Sequence, residues 1–173
     1  MRAAFQGLRR AAALALALQA CAGVQRPVAR PAGDEGMVVY QVGRLTFEAP
    51  RAWEASGGGA AVRAESMDGR AFLDVRSPER RFAGERECLA QADESLAQGA
   101  AELANVRRHA TSLAGRPALA QEADRGGWHG WAYAVCDGGT QYRLFFTGVS
   151  PVSGEALAVL RALLASAWIG GGR

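Results

Sequence analysis

The segment that most constrains this chain is an apolar run near its start, from Ala11 to Ala20, which ends directly before Cys21. Three arginines precede the run. A basic region, a short apolar region and small residues at its end are typical of an export signal. At about ten residues the run is too short to span a membrane, which takes roughly 20. A buried helix of the domain is the alternative, but the arginines before the run and the Pro/Gly-rich segment after it favour export.

The tetrad Leu18-Gln19-Ala20-Cys21 resembles the bacterial lipobox, in which a leucine stands three residues before a cysteine that follows a small residue. The resemblance implies cleavage between Ala20 and Cys21 and attachment of fatty acyl chains such as palmitate to Cys21 and its new amino terminus. Stable anchoring takes more than one such chain. It also implies the periplasmic face of the bacterial envelope, with the outer membrane favoured over the inner because Ala22 follows the cysteine.

The rest of the chain is predicted to form one domain with flexible ends. We expect a signal peptide at 1–20, a flexible tether at 21–36, a single α+β domain at 37–169 and a loose tail at 170–173. The tether carries proline, glycine and charge without hydrophobic periodicity. One domain of this length can bury a proper core.

The charge balance argues against nucleic acid as a partner. All 20 basic residues are arginines, and three of them lie in the signal, so the remainder balances the 17 acidic residues. A basic binding surface is therefore not expected. The two histidines, His109 and His129, and the absence of paired Cys-x-x-Cys motifs give no metal site. We expect no cofactor.

Cysteine parity predicts a disulfide. If Cys21 takes lipid, Cys88 and Cys136 remain as an even pair in an oxidising compartment. In the chain-entropy model, closing a loop of about 49 residues is worth roughly 4 kcal/mol. Two separate buried thiols are the alternative, because cysteine is often simply buried.

Hydrophobic periodicity predicts strands on both sides of one long helix. An Asp-Gly pair predicts a hairpin between 61–65 and 71–76, and the segments 128–136 and 141–149 predict another. Apolar residues at helical spacing predict a helix from Glu85 to about Val106, and Ser150 is expected to cap a final helix whose apolar face reaches Trp168. Loops or turns are expected at Gly57–Gly59 and Gly115–Pro117.

Few residues point to chemistry. His129 lies between Trp128 and Trp131, which makes these three a candidate binding surface, although such residues are also common on ordinary sheet faces. Ser150 stands between a strand and a helix, as does the nucleophile of a hydrolase elbow, but Val152 occupies the place of a required glycine. We therefore expect no catalytic residue.

The order of these signals resembles the Mog1/PsbP-like class. The matching pieces are a strand ending in Pro50 with Trp53 after it, the hairpin at Asp68-Gly69, one long helix, the Gly115-Arg116-Pro117 segment, a second hairpin and a final helix. The resemblance implies an antiparallel β-sheet flanked by helices, an α/β/α sandwich. It also implies a binding or assembly factor, since known relatives serve mainly in such roles.

The sequence therefore predicts a lipid-anchored, non-enzymatic envelope module that binds a protein partner or supports an assembly. Two alternatives remain open. One is an envelope hydrolase that uses His129 or Ser150, which requires polar side chains in mutual reach within a pocket. The other is a carrier of a small ligand or lipid, which requires a dry cavity between the sheet and a helix.

Overall fold

A computed structural model describes residues 36–170. The predictions for the signal peptide, for Cys21 and for nearly all of the tether and tail lie outside the described residues. In chain order the strands are β1 (Met37–Val42), β2 (Leu45–Pro50), β3 (Glu54–Gly58), β4 (Ala61–Glu65), β5 (Ala71–Arg76), β6 (Ala104–Leu113), β7 (Arg116–Arg125), β8 (Trp128–Asp137), β9 (Thr140–Val149) and β10 (Trp168–Ile169). The helices are α1 (Glu85–Gly99), followed by a 3-10 turn (Ala100–Glu102), and α2 (Gly154–Ser166).

The strands form two antiparallel sheets. The large sheet has seven strands in the order β3-β4-β5-β9-β8-β7-β6, and the small sheet has three in the order β1-β2-β10. Both predicted hairpins are confirmed, with Ala64 opposite Leu73 in β4–β5 and Tyr133 opposite Leu144 in β8–β9. No helix within residues 36–170 is long and apolar enough to cross a membrane.

Alternation along the strands gives the large sheet two different faces. Tyr142, Leu144 and Phe146 of β9 are buried together in the main core, as predicted, while Phe145 points to the other side. We call the side with Phe146 the core face and the side with Phe145 the outer face. The core face packs against α2 and the small sheet, and Trp53 lies half-buried against Phe146 there.

The layering corrects the expected α/β/α sandwich. Among residues 36–170, ten strands and two helices make this a β-rich α+β fold, and only α1 stands on the outer face. The core face is shared, because α2 lies beside β2 and the small sheet fills the rest of that layer. An antiparallel sheet with helices packed against it is confirmed, but two full helical layers are not present.

The long helix ends earlier than its periodicity suggested. α1 stops at Gly99, and Val106 lies in the edge strand β6 instead. Glycine is a poor helix residue, and the segment after Ala104 contains Val106 and Thr111, whose β-branched side chains favour strands. Pairing with β7 therefore prevails over the helical spacing of the apolar residues.

The final helix begins later than predicted. Ser153, not Ser150, caps α2, since its hydroxyl accepts a hydrogen bond from the N–H of Ala156 at 3.1 Å. The helix ends at Ser166, whose hydroxyl accepts the N–H of Glu48 in β2 at 2.9 Å. Trp168 is therefore not on the helix but in β10, opposite Thr46.

Two expected turns are also displaced. Gly57 and Gly58 belong to β3 rather than to a loop, and Gly57 has φ +99°, with the carbonyl of Ala61 occupying the space a Cβ would need. Only glycine suits both conditions. The turn before β7 lies at Ala114 and Gly115, whose φ values are +54° and +73°, so Pro117 falls within the strand.

Candidate functional site

The outer face of β8 is lined with small side chains. Gly130, Ala132 and Ala134 alternate along it, and Cys136 follows at the end of the strand. They stand in the middle of the sheet, with β7 on one side and β9 on the other. A helix over such a row must either approach the sheet closely or leave space between its side chains and the sheet.

Helix α1 lies over this row and is fixed at its first turn. Cys88 and Cys136 form a disulfide with a Cα–Cα distance of 6.2 Å, so the predicted pairing is present. In α1 only Cys88 and Ala92 are buried, while Leu89 and Leu96 of the predicted apolar stripe are half-buried. The apolar stripe of α1 faces the sheet, but its leucine side chains are not fully buried against it.

The result is a cavity of about 430 Å³ between α1 and the outer face. This volume lies within the range of small-molecule sites, about 300–1,000 Å³. Its floor is Gly130, Ala132 and Ala134 of β8. Its walls come from α1, β7 and β9, and they are mostly apolar, with Leu96, Leu103, Ala123, Trp128 and Phe145 among them.

Among the polar side chains of the cavity wall, Gln121 and Arg143 differ from the others in their hydrogen bonding and charge. Gln121 of β7 is only 5% exposed, and its Oε1 is a buried acceptor without a hydrogen-bond partner among the described residues. Arg143 of β9 is half-buried. It donates from Nε to Oε1 of Gln141 at 2.5 Å and from Nη2 to the hydroxyl of Ser95 at 3.2 Å. Both partners are neutral.

The charge of Arg143 is consequently unbalanced at the site. Burial, followed by the positive charge of Arg76, lowers the pKa of its guanidinium from the usual value. Arg76 stands directly opposite Arg143 across β5 and β9, but Arg76 pairs with Asp74. The cavity wall thus carries a cation without a carboxylate partner in the described part of the chain.

Polar contacts hold the rest of α1 at the cavity's edges. Arg108 of β6 donates to Oδ1 of Asp93 at 2.8 Å. Beyond the helix, Arg125 of β7 contacts Oε2 of Glu102 at 2.9 Å. The amide of Gln141 also donates to the carbonyl of Cys88 at 3.3 Å. The helix is therefore held at its start and its sides rather than by a filled interface.

The predicted surface of Trp128, His129 and Trp131 is divided by the sheet. Strand alternation puts Trp128 on the outer face, where it packs on Phe72 with ring centroids 5.3 Å apart and lines the cavity. His129 and Trp131 lie on the core face, with their ring centroids 4.3 Å apart. The ring of Trp131 also packs against that of Phe146, with centroids 6.0 Å apart. The three side chains do not form one surface.

His129 has a carboxylate partner. Its Nδ1 lies 2.6 Å from Oδ1 of Asp124, the residue opposite it on β7. Oδ2 of Asp124 accepts a hydrogen bond from Asn105 at 2.6 Å. The hydrogen bond from Asn105, and then that with His129, lower the pKa of Asp124 below its usual value.

Ser150 is not part of this cluster. It is exposed, and its backbone N–H donates to the carbonyl of Gly127 at 2.8 Å. Within residues 36–170 no hydroxyl or thiol hydrogen-bonds to His129, so a nucleophile beside this base is not assembled. The same residues contain no group of three or more His, Cys, Asp or Glu side chains that could hold a metal ion.

Sequence reasoning missed the cavity, although a signal for it was present. Aromatic and small residues alternate from Trp128 to Cys136, which predicts a strand with one bulky and one nearly bare face. Gln121 and Arg143 carried no local signal, because only strand pairing across β7, β8 and β9 brings them to the same cavity.

The fold has a counterpart among solved structures. The solution structure of cyanobacterial PsbP (CyanoP) from Synechocystis sp. PCC 6803 is similar over 88% of this chain and 99% of that chain, with a TM-score of 0.56 and 13% sequence identity. At that identity the similarity establishes the fold alone, so the chain has a PsbP-like fold. No family model and no curated protein matches the sequence.

Proposed function

We propose that this protein is a lipid-anchored, non-enzymatic binding protein of the bacterial envelope, and that it carries a small apolar ligand in the cavity beneath α1. The observation that carries the proposal is the cavity itself, which has a volume of about 430 Å³ and a mostly apolar wall above Gly130, Ala132 and Ala134. The carrier alternative requires a dry cavity between the sheet and a helix, and the position and mostly apolar wall of this cavity support it. The proposed protein partner is another envelope protein, which delivers the ligand to this cavity or receives it from there.

Packing energetics support this assignment. Protein interiors are close-packed, and each unfilled volume costs stability because its lining loses contacts. Ala132 and Ala134 leave open a space that larger apolar side chains would fill. A cavity of this size with mostly apolar walls is typical of a site that a ligand fills.

The anchoring part rests on the sequence around Cys21 and has its own test. A Cys21→Ala variant, expressed in bacteria fed with labelled palmitate, is expected to remain unprocessed and unlabelled. An envelope fraction that still contains labelled protein would refute the lipid anchor. The outer membrane, rather than the inner, is the expected site for the acylated protein, because Ala22 follows the cysteine.

The binding part is tested with a neutral apolar probe. N-phenylnaphthylamine fluoresces when it leaves water, so titration of the purified protein should give a saturable signal with one site. Ala132→Phe places a ring on the cavity floor and is expected to remove that signal. Ala104→Phe, at an exposed position of β6, is the matched control and should leave it unchanged. Equal binding by both variants would contradict a site beneath α1.

A further inference from the structure

We propose that the cavity selects apolar acids that carry a hydroxyl, with the carboxylate paired to Arg143 and the hydroxyl donated to Gln121. This inference rests on the proposed function, because it names the class of ligand that the same cavity takes. Both residues line the cavity; the guanidinium of Arg143 has only neutral hydrogen-bond partners, and Oε1 of Gln121 has none among residues 36–170.

The first requirement is a negative charge beside Arg143. Both hydrogen-bond partners of this guanidinium are neutral, and the neighbouring carboxylate, Asp74, already pairs with Arg63 and Arg76. Like charges directly opposite across strands are unfavourable, and Arg76 faces Arg143 in this register. An anion at Arg143 relieves that repulsion and forms charge-assisted hydrogen bonds, which are about twice as strong as neutral ones.

The second requirement is an apolar body of limited length. From Arg143 the cavity continues over Ala132 and Gly130, between Phe145 of β9 and Leu96 of α1. A hydrocarbon chain or ring lying there is removed from water, which is favourable in proportion to the apolar surface buried. A small, strongly hydrated anion such as phosphate would leave this part of the cavity unfilled.

The third requirement is a hydrogen-bond donor that reaches Gln121. Its Oε1 is buried without a partner among residues 36–170, and an unmatched buried acceptor is unfavourable. Gln121 and Arg143 are separated by the central strand β8 and by two residues along it, so their backbones stand roughly 12 Å apart. A carboxylate alone cannot satisfy both groups, and a hydroxyl further along the ligand can.

The test measures displacement of N-phenylnaphthylamine by decyl compounds that differ only in their polar groups. We expect decanoate to bind roughly tenfold more tightly than decanol, in line with one charge-assisted interaction. Decyltrimethylammonium should bind more weakly than either. Within a panel of hydroxydecanoates, at least one position of the hydroxyl should improve on decanoate by about fivefold, and Gln121→Leu should abolish that improvement.

Variants at Arg143 separate charge from folding. Arg143→Gln should remove the preference for decanoate over decanol while leaving binding of the neutral probe intact, and Arg143→Lys should retain part of the preference. Arg161→Gln, on the exposed side of α2, removes the same charge and should change nothing. Equal affinities for decanoate and decanol, or no gain from any hydroxyl position, would overturn the inference.

The outcomes also distinguish this inference from the proposed function. If the neutral probe binds and acids are not preferred, the cavity is a site but the assigned ligand class is wrong. If neither the probe nor any decyl compound binds, as checked directly by calorimetry, both statements are wrong.

Discussion

At the scale of single residues, the cluster of Asn105, Asp124 and His129 makes stability depend on pH. Asp124 accepts hydrogen bonds from both neighbours, and these lower its pKa. A lowered pKa means that folding favours the ionised carboxylate. This contribution is present above the pKa of aspartate in an unfolded chain, about 3.9, and is lost as the pH falls through the lower pKa of the folded state.

We therefore predict that Asn105→Gly raises the pKa of Asp124, because the largest cause of the shift is removed. Glycine suits the backbone at this position, where φ is +53°, so the backbone should remain undisturbed. NMR titration of the Asp124 carboxyl carbon is the measurement. Asp68, whose pKa is lowered by its own neighbour Ser66, serves as the internal control and should not move. An unchanged midpoint for Asp124 would show that Asn105 has no such role.

Residue identity alone could predict part of the site. Cys88 and Cys136 were predictable as a pair from parity, because the tetrad that ends at Cys21 resembles a lipobox and two further cysteines remain. Trp128, His129 and Trp131 were wrongly grouped, since neighbours in sequence on a strand point to opposite faces. The partner of His129 was equally hidden, because Asp124 reaches it through the register of β7 with β8.

At the scale of elements, α1 forms one wall of the cavity, and the disulfide fixes its first turn to β8. Only Cys88 and Ala92 of the helix are buried, Leu89 and Leu96 are half-buried, and ion pairs and hydrogen bonds hold the sides of the helix. Exposed ion pairs contribute about 0–1 kcal/mol each. The covalent link therefore dominates the positioning of α1.

We predict that the double variant Cys88→Ala/Cys136→Ala is less stable by about 2–4 kcal/mol, since a loop of this length is released in the unfolded chain. Urea denaturation measures the change. The variant should also bind N-phenylnaphthylamine more weakly, because α1 is no longer fixed over β8. Reductant should reproduce both effects in the native sequence and add nothing in the variant. Unaltered probe binding after reduction would show that the helix is held by its other contacts.

Element boundaries could be predicted where they depend on residues close together in the sequence, either turn residues or the alternating pattern of a strand. The hairpins at Asp68-Gly69 and at Gly138-Gly139 follow from glycine-containing turns between alternating segments. The ends of α1 and α2 were misplaced because distant strands decide them. β7 pairs with the segment that begins at Ala104, and β2 pairs with Trp168 and Ile169.

At the scale of the whole molecule, a buried carboxylate joins the two sheets. Asp137, at the end of β8, is only 7% exposed and contacts Arg44 at 2.8 Å and Arg116 at 2.7 Å. Arg44 lies in the turn between β1 and β2, and its backbone N–H also lies 3.3 Å from the hydroxyl of Tyr142. In addition to the shared hydrophobic core, these charged hydrogen bonds join the small sheet to the large sheet.

The general architecture was predictable and its layering was not. Alternating strands around one long helix predict an antiparallel sheet with packed helices, and the resemblance to PsbP-like proteins agrees with the fold. The division into two sheets arises because β1, β2 and β10 pair among themselves and not with the strands of the large sheet. The resemblance to the Mog1/PsbP-like class, rather than any pattern in this sequence, had implied a helical layer on both faces.

If Asp137 holds the two sheets together, its loss should weaken the molecule as a unit. We predict that Asp137→Asn lowers the free energy of unfolding by about 1.5–3 kcal/mol, the usual worth of hydrogen bonds to a charged group. The matched control is Asp93→Asn, which breaks the exposed pair with Arg108 and should cost less than about 1 kcal/mol. Denaturation followed by tryptophan fluorescence and by circular dichroism should remain a single coincident transition in both variants. Two separate transitions in Asp137→Asn would mean that the small sheet unfolds independently and that Asp137 alone had coupled it to the large one.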